Sequence, residues 1–203
     1  MLAASVLMAA CTTGARIDGT IESAPSSDVV VKLLNINRYE VLDTVKTDAA
    51  GKFSCKVKVE EGQPEFVYLF YKDTKVASLL LEKGDKVSVE ADTLGNYTVE
   101  GSEESVRLAL VEKNYAAAYS KMNAIAQKME TAEGDEALAL GQELSKEYVA
   151  YYRQCVRYIL ENSSSLTSVP VLYQNFGVNL PVFSQSTDAI HFVNVSDSLQ
   201  IRY

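Results

Sequence analysis

Three cysteines, Cys11, Cys55 and Cys155, are the side chains with the widest range of possible chemistry in this sequence. A thiol can serve as a redox group, a metal ligand or an acceptor for lipid. No two of the three are separated by two residues, so neither the Cys-x-x-Cys motif of a redox dithiol nor a zinc knuckle is present. The role of each cysteine therefore depends on its own surroundings.

Cys55 and Cys155 each fall on the apolar side of a predicted element. Cys55 alternates with Phe53 and Val57 in a strand pattern, and Cys155 follows Tyr151 at the spacing of a helix face. We predict that both are buried as small apolar side chains. The alternative is a disulfide between them, which an oxidising compartment permits and which requires the two apolar faces to oppose each other.

Cys11 has a different setting, because residues 1–10 are apolar or small throughout. Two alanines stand just before the cysteine, where a signal peptidase pocket admits little side chain. This pattern predicts a bacterial lipoprotein signal over residues 1–11, ending at a lipidated Cys11, and a tether over 12–16. Acyl chains on Cys11 would make the lipid bilayer a partner. The alternative is an apolar N-terminus with an incidental cysteine.

The remaining polar residues give no catalytic pattern. His191 is the one histidine, so a His-based metal site is excluded and no triad can be placed. There is no Gly-rich phosphate loop. The acidic pairs Glu60-Glu61 and Glu103-Glu104 are interpreted as solvated turns and helix caps. We therefore predict no catalytic residue, no metal site and no cofactor, and a protein that is not an enzyme.

The net charge of −8 argues against a nucleic-acid partner, which requires a basic surface. The chain of 203 residues is long enough for one large or two small domains. Its 47% hydrophobic content is sufficient for a packed core.

The sequence pattern over residues 17–100 predicts an antiparallel β domain. Apolar and polar residues alternate in several short segments, most clearly over residues 52–59. Turn signals such as Asp48 to Gly51 and Lys83-Gly84-Asp85 recur at intervals of about 8–12 residues, a spacing typical of a sandwich or barrel.

The sequence pattern over residues 101–203 predicts a helical region. Apolar side chains recur every three or four residues over 102–130 and again over 136–162, which predicts two helices that pack as a hairpin. Ser102 is the predicted N-cap of the first helix.

Two short helices are predicted after the hairpin, over residues 169–176 and 188–195. The fold class that follows is α+β: an antiparallel β-sandwich or partly open barrel, then a helical hairpin and short helices.

Four motifs of the β stretch carry a family resemblance. They are Asp43-Thr44-Val45, Asp48-Ala49-Ala50-Gly51-Lys52-Phe53, Leu81-Glu82-Lys83-Gly84-Asp85 and Val99-Glu100-Gly101-Ser102. In this order they resemble the domain of unknown function that precedes thioredoxin-like domains in Bacteroidetes periplasmic thiol–disulfide oxidoreductases. The resemblance covers residues 17–105 closely.

The resemblance implies a module of a lipid-anchored redox protein of the cell envelope. In that family a domain with a Cys-x-x-Cys motif usually follows, and no such motif occurs in residues 1–203. Residues 12–16 lack the acidic cluster that resembles a surface-export signal in these bacteria. We therefore predict a location facing the periplasm.

Two groups of side chains allow a binding role. The methionines and tyrosines of the helical stripes, such as Met122, are predicted to form the hairpin core, with a partner groove as the alternative. A second group is aromatic: Phe66, Tyr68, Phe70 and Tyr71. These side chains would supply an aromatic surface to a ligand, and the alternative is that they pack against the sheet.

Thr93 is a candidate for O-glycosylation, because Asp92-Thr93-Leu94 resembles the acceptor pattern of Bacteroidetes periplasmic proteins. Asp43-Thr44-Val45 and Asp197-Ser198-Leu199 match the same pattern. Thr93 is favoured because it lies at a predicted turn. Chance is the alternative, since three loosely defined residues match easily.

Three functional hypotheses follow. The first is a non-catalytic N-terminal or accessory module of a membrane-anchored periplasmic thiol–disulfide oxidoreductase-like lipoprotein, which positions a protein partner or client. The second is a stand-alone lipoprotein that binds a small ligand or glycan. The third, an enzyme assembled without any local motif, has the least support.

Overall fold

The computed structural model describes residues 14–35, 38–177 and 180–203. Over these residues the chain forms eight strands followed by four helices. It divides into a β unit that ends at Val106 and a helical unit that begins at Arg107. The strands are β1 (Ala15–Ile21), β2 (Asp28–Asn35), β3 (Arg38–Lys46), β4 (Lys52–Val57), β5 (Glu65–Tyr71), β6 (Thr74–Leu81), β7 (Lys86–Ala91) and β8 (Tyr97–Glu100). The helices are α1 (Glu103–Met129), α2 (Gly134–Glu161), α3 (Ser168–Leu172) and α4 (Ala189–Arg202).

Two four-stranded sheets make up the β unit, in the orders β4-β1-β7-β8 and β3-β2-β5-β6. The predicted α+β class is confirmed, and over the described residues the sheets do not close into a barrel. The strands are mostly antiparallel, and one pair departs from that arrangement: β1 and β7 pair in parallel, with Ile17 opposite Val87. Local alternation reports which side of a strand is buried, but it carries no information on which distant strand lies alongside.

The core of the β unit consists of the apolar sides of the two sheets. Val29 and Val31 of β2 and Val67 and Leu69 of β5 are at most 1% exposed. Because successive side chains of a strand point to opposite faces, the residues between them, including Tyr68, point to the outer face of that sheet.

The outer strand β6 is covered by the start of α1. The Leu80 N–H donates to Ser105 Oγ at 3.1 Å, and the Ser105 hydroxyl donates to Leu80 O at 2.9 Å. Ser102 Oγ donates to the same carbonyl at 3.2 Å and accepts the Ser105 N–H at 3.3 Å, as the predicted N-cap does. An uncovered outer strand is a template for unwanted pairing, so these hydroxyls protect the edge.

Replacing Ser105 by alanine leaves the buried Leu80 N–H without this acceptor. We expect the free energy of unfolding to fall by about 1–3 kcal/mol, the cost of an unsatisfied buried donor. Urea denaturation followed by circular dichroism measures the change. Ser120, exposed on the same helix, provides the control, since Ser120→Ala should alter stability by less than about 0.5 kcal/mol. Equal effects at the two positions would contradict the role of Ser105.

The helical unit is built on α1 and α2, which run antiparallel. Lys121 of α1 pairs with Glu147 of α2 at 2.7 Å, and the Met129 side chain further along α1 approaches Gly141 near the start of α2. Side chains from all four helices and from the segment between α3 and α4 form the core. The buried members are Val111, Tyr151, Cys155, Ile159, Val171, Leu172, Val182, Phe183 and Val195.

The two later helices differ in length from their predictions. α3 stops at Leu172 because the following residues bond across the loop instead, with the Val182 N–H donating to Gln174 O at 2.9 Å. α4 extends to Arg202, beyond the one or two turns predicted for residues 188–195. Its continuation is explained by Leu199, which packs on the core one turn after Val195.

Candidate functional site

An apolar cleft lies between α1 and α2 in the helical unit. Its volume is about 380 Å³, within the span of about 300–1,000 Å³ found for small-molecule sites. None of the described residues that line it carries a charged side chain. These residues are Tyr119, Met122, Asn123 and Ala126 of α1, Gly141, Leu144, Ser145 and Tyr148 of α2, and Phe176 and Leu180 of the following loop.

Phe176 forms the end wall of the cleft. Its ring stacks on Tyr115 of α1 with centroids 5.5 Å apart. It meets the rings of Tyr148 and Tyr151 of α2 edge-on, at 6.2 and 5.3 Å. Such ring pairs each contribute about 0.5–1.5 kcal/mol beyond the area they bury. One loop side chain therefore connects both helices.

Tyrosine hydroxyls hold the loop in place. Tyr115 donates to Asn175 O at 2.6 Å, and Tyr148 donates to Pro181 O at 2.8 Å. These carbonyls belong to the residues next to Phe176 and Leu180, so the hydroxyls hold these two cleft residues in place. Burial raises the pKa of both tyrosines. The hydroxyls therefore remain donors throughout the physiological pH range.

Two further tyrosines of α2 make similar contacts. Tyr151 donates to Gln174 Oε1 at 2.9 Å, and Tyr152 donates to Asp188 Oδ1 at 2.7 Å. The hydrogen bond to Asp188, with burial, raises the pKa of Tyr152 to about 12. Four tyrosines of α1 and α2 thus donate hydrogen bonds to the segment between α3 and α4, at both of its ends.

The sequence located only part of this site. Met122, Leu144 and Tyr148 lie on the predicted helical stripes. Phe176 was predicted as the last residue of a short helix but lies in the loop after α3, and Leu180 lies in the same loop, which gives no periodic signal. The available signal was the clustering of tyrosines at helical spacing, which indicates many hydroxyls needing partners when they are buried.

The aromatic residues of β5 do not form an open platform. Phe70 is 9% exposed, and the Lys32 ammonium group lies 3.8 Å from its ring centroid. Tyr39 of β3 packs edge-on against Tyr68 and Phe70, with centroids 5.1 and 5.4 Å away. Lys75 Nζ lies 5.6 Å from the Tyr68 centroid. Lysines and a neighbouring ring therefore occupy this face.

Comparison with known families gives one match. Residues 15–108 match the model of a domain of unknown function, DUF4369. These residues belong to the DUF4369 family. The match confirms the resemblance as far as this domain family is concerned, and no curated protein matches the chain. The cleft residues, which begin at Tyr119, lie outside the matched region, so the family does not assign them a role.

The cysteine of the DUF4369 domain and that of α2 are both buried. Cys55 is 7% and Cys155 4% exposed, and both are unbridged, so the alternative of a disulfide is not observed. Burial raises the pKa of each thiol to about 11. Because the thiolate is the reactive form, both thiols are shielded from exchange chemistry.

These thiols should react slowly with 5,5′-dithiobis(2-nitrobenzoic acid). A pKa of about 11 in place of 9.0 lowers the thiolate fraction at pH 8 by about 100-fold, and burial slows the reaction further. The measurement uses a Cys11→Ala chain with and without guanidinium chloride. Ser120→Cys adds an exposed thiol as an internal standard. Native Cys55 or Cys155 reacting within tenfold of that standard would contradict the prediction.

The other predicted positions take no part in the cleft. His191 packs edge-on against Phe183, with ring centroids 5.4 Å apart. No group of three or more histidine, cysteine, aspartate or glutamate side chains suited to a metal occurs within residues 14–35, 38–177 and 180–203.

Thr93 lies in the turn between β7 and β8 of the DUF4369 domain. Asp92 shapes this turn, since its Oδ1 accepts the N–H groups of Leu94 and Asn96, each at 2.9 Å. The competing acceptors lie in regular elements, Thr44 in β3 and Ser198 in α4. Thr93 remains the predicted glycosylation site.

The predicted lipidation site, Cys11, lies outside the described residues, as does the whole predicted signal over 1–11. Among the described residues, none of the helices combines the length and the apolar composition of a transmembrane segment.

Proposed function

We propose that the chain is a non-catalytic accessory module of a lipid-anchored, periplasm-facing thiol–disulfide oxidoreductase-like protein, and that it positions a partner or client. The observation that carries the proposal is the DUF4369 match over residues 15–108. Its motifs resemble the domain that precedes thioredoxin-like domains in such proteins.

The burial of the two thiols supports a module that does not itself carry out thiol–disulfide exchange. Cys55 and Cys155 are buried and protonated at neutral pH, so neither offers a thiolate to an incoming disulfide. Any exchange reaction would belong to a separate domain or protein held nearby.

The test has two parts. Sequencing the gene beyond the Tyr203 codon, checked by the intact mass of the native protein, should reveal a thioredoxin-like domain with a Cys-x-x-Cys motif. The 203-residue chain by itself should not reduce insulin disulfides, whereas the longer protein should. A stop codon after Tyr203, or insulin reduction by the shorter chain, would overturn the proposal.

The cleft favours a second candidate function, a lipoprotein that binds a small ligand. Its volume of about 380 Å³ and its aromatic walls have the character of ligand sites in general. Equilibrium dialysis of the chain against an envelope extract, with mass spectrometry of the retained compounds, tests this candidate. Retention of no compound at one per chain would overturn it.

A further inference from the structure

We propose that the cleft between α1 and α2 binds one neutral, predominantly apolar small molecule with a single hydrogen-bonding group. This inference rests on the second candidate function. It goes further by assigning the site and the chemical class of the ligand, and it separates the two alternatives of small apolar compound and glycan.

The cleft has a fixed end wall. Phe176 is held between Tyr115 of α1 and two tyrosines of α2, and the loop backbone on either side of it accepts hydrogen bonds from Tyr115 and Tyr148. A cavity whose walls are set in advance does not require ordering when a ligand enters, so more of the contact energy appears as affinity.

The electrostatics favour a neutral ligand. Lys121 and Glu147, which bridge α1 and α2, pair with each other at 2.7 Å and so offset each other. The described lining residues supply no charged partner. Burying an unpaired ionised group costs several kcal/mol, on the order of the whole affinity of a small ligand. A ligand that places a charge against these side chains would therefore bind more weakly than its neutral analogue.

The hydrogen-bonding capacity of the lining argues against a glycan. A sugar presents a hydroxyl group on most ring carbons, and each needs a partner when it is buried. The Tyr148 hydroxyl already donates to Pro181 O. The other polar side-chain groups of the described lining residues are few: the Tyr119 hydroxyl and the Asn123 amide on α1, and the Ser145 hydroxyl on α2. They suit one polar group of a ligand whose remainder contacts Met122, Leu144 and the rings.

Two fluorescent probes of nearly identical shape test the ligand class. N-phenyl-1-naphthylamine is neutral, and 1-anilinonaphthalene-8-sulfonate has the same ring skeleton with one sulfonate. They are titrated into the full chain carrying Cys11→Ala, so that no acyl chain competes. We expect one saturable site per chain, with the neutral probe binding at least about tenfold more tightly, and no displacement by N-acetylchitotriose.

Two matched variants locate the site. Ala126 lines the cleft and Ala124, two residues earlier on α1, does not, although both are exposed. Ala126→Trp should weaken binding of the neutral probe at least tenfold, and Ala124→Trp should leave it within twofold. Ser145→Trp fills the cleft from α2 and serves as a second variant if Ala126→Trp fails to fold.

The outcomes distinguish the inference from the function on which it rests. Three results overturn the inference but leave the function standing. They are binding of the sulfonate probe as tight as or tighter than that of the neutral probe, displacement of the neutral probe by the sugar, and an equal loss of probe affinity in the two tryptophan variants. A compound retained from the extract, combined with no binding of either probe, also overturns the assigned class. Retention of no compound from the extract overturns ligand binding as a function, whatever the probes show.

Discussion

Replacing Cys11 by alanine should move the protein from the membrane to the soluble fraction. A thioether-linked diacylglycerol supplies two acyl chains, and two chains are needed for stable anchoring because one gives an association constant of only about 10⁴ M⁻¹. The described residues offer no membrane-spanning helix as a substitute. Removing the acceptor sulfur should therefore abolish anchoring rather than weaken it.

Triton X-114 partitioning of envelope fractions, with metabolic labelling by an alkynyl fatty acid, measures this effect. The unaltered protein should enter the detergent phase and carry label, and Cys11→Ala should do neither. The chain offers its own controls, since Cys55→Ala and Cys155→Ala remove buried thiols and should leave both label and partitioning unchanged. Detergent-phase recovery of Cys11→Ala would show that the lipoprotein prediction is wrong.

Replacing Phe176 by alanine should destabilise the helical unit more than most single substitutions. The ring contacts three tyrosines from two helices, and its removal leaves a void beside the cleft. We expect the free energy of unfolding of this unit to fall by about 3 kcal/mol, toward the lower end for a Phe→Ala change because the ring is only partly buried.

Hydrogen exchange with mass spectrometry measures the loss and locates it. Amide protection should fall in α2 and α3 and remain unchanged in the β unit. Phe176→Leu keeps most of the apolar volume and should cost less than about 1.5 kcal/mol. A loss in Phe176→Ala that does not exceed that in Phe176→Leu would mean that the ring contacts contribute little.

The sequence predicted features that depend on neighbouring residues. Alternation placed Phe53, Cys55 and Val57 on the buried side of β4, where the structure has them. Ser102 was recognisable as an N-cap because the N–H group that donates to its hydroxyl oxygen lies only three residues away, at Ser105. Its second role, donating to Leu80 O 22 residues earlier, depends on the tertiary fold.

The features that the sequence did not predict rest on distant partners. The parallel pairing of β1 with β7 joins residues about 70 positions apart, and no local pattern specifies it. The hydrogen bond from Tyr115 to Asn175 spans 60 residues. A high tyrosine content was visible from the start, but the function of each hydroxyl emerged only once the loop between α3 and α4 was placed beside α1 and α2.

The tyrosine contacts with this loop have a consequence for how its sequence is free to change. Tyr115 and Tyr148 bond the main-chain carbonyls of Asn175 and Pro181, and every amino acid supplies such a carbonyl. Substitution at Leu180 can therefore reshape the wall of the cleft while the attachment of the loop persists. Selection is therefore free to change the shape of this cleft among descendants of the protein without having to rebuild the scaffold that holds it.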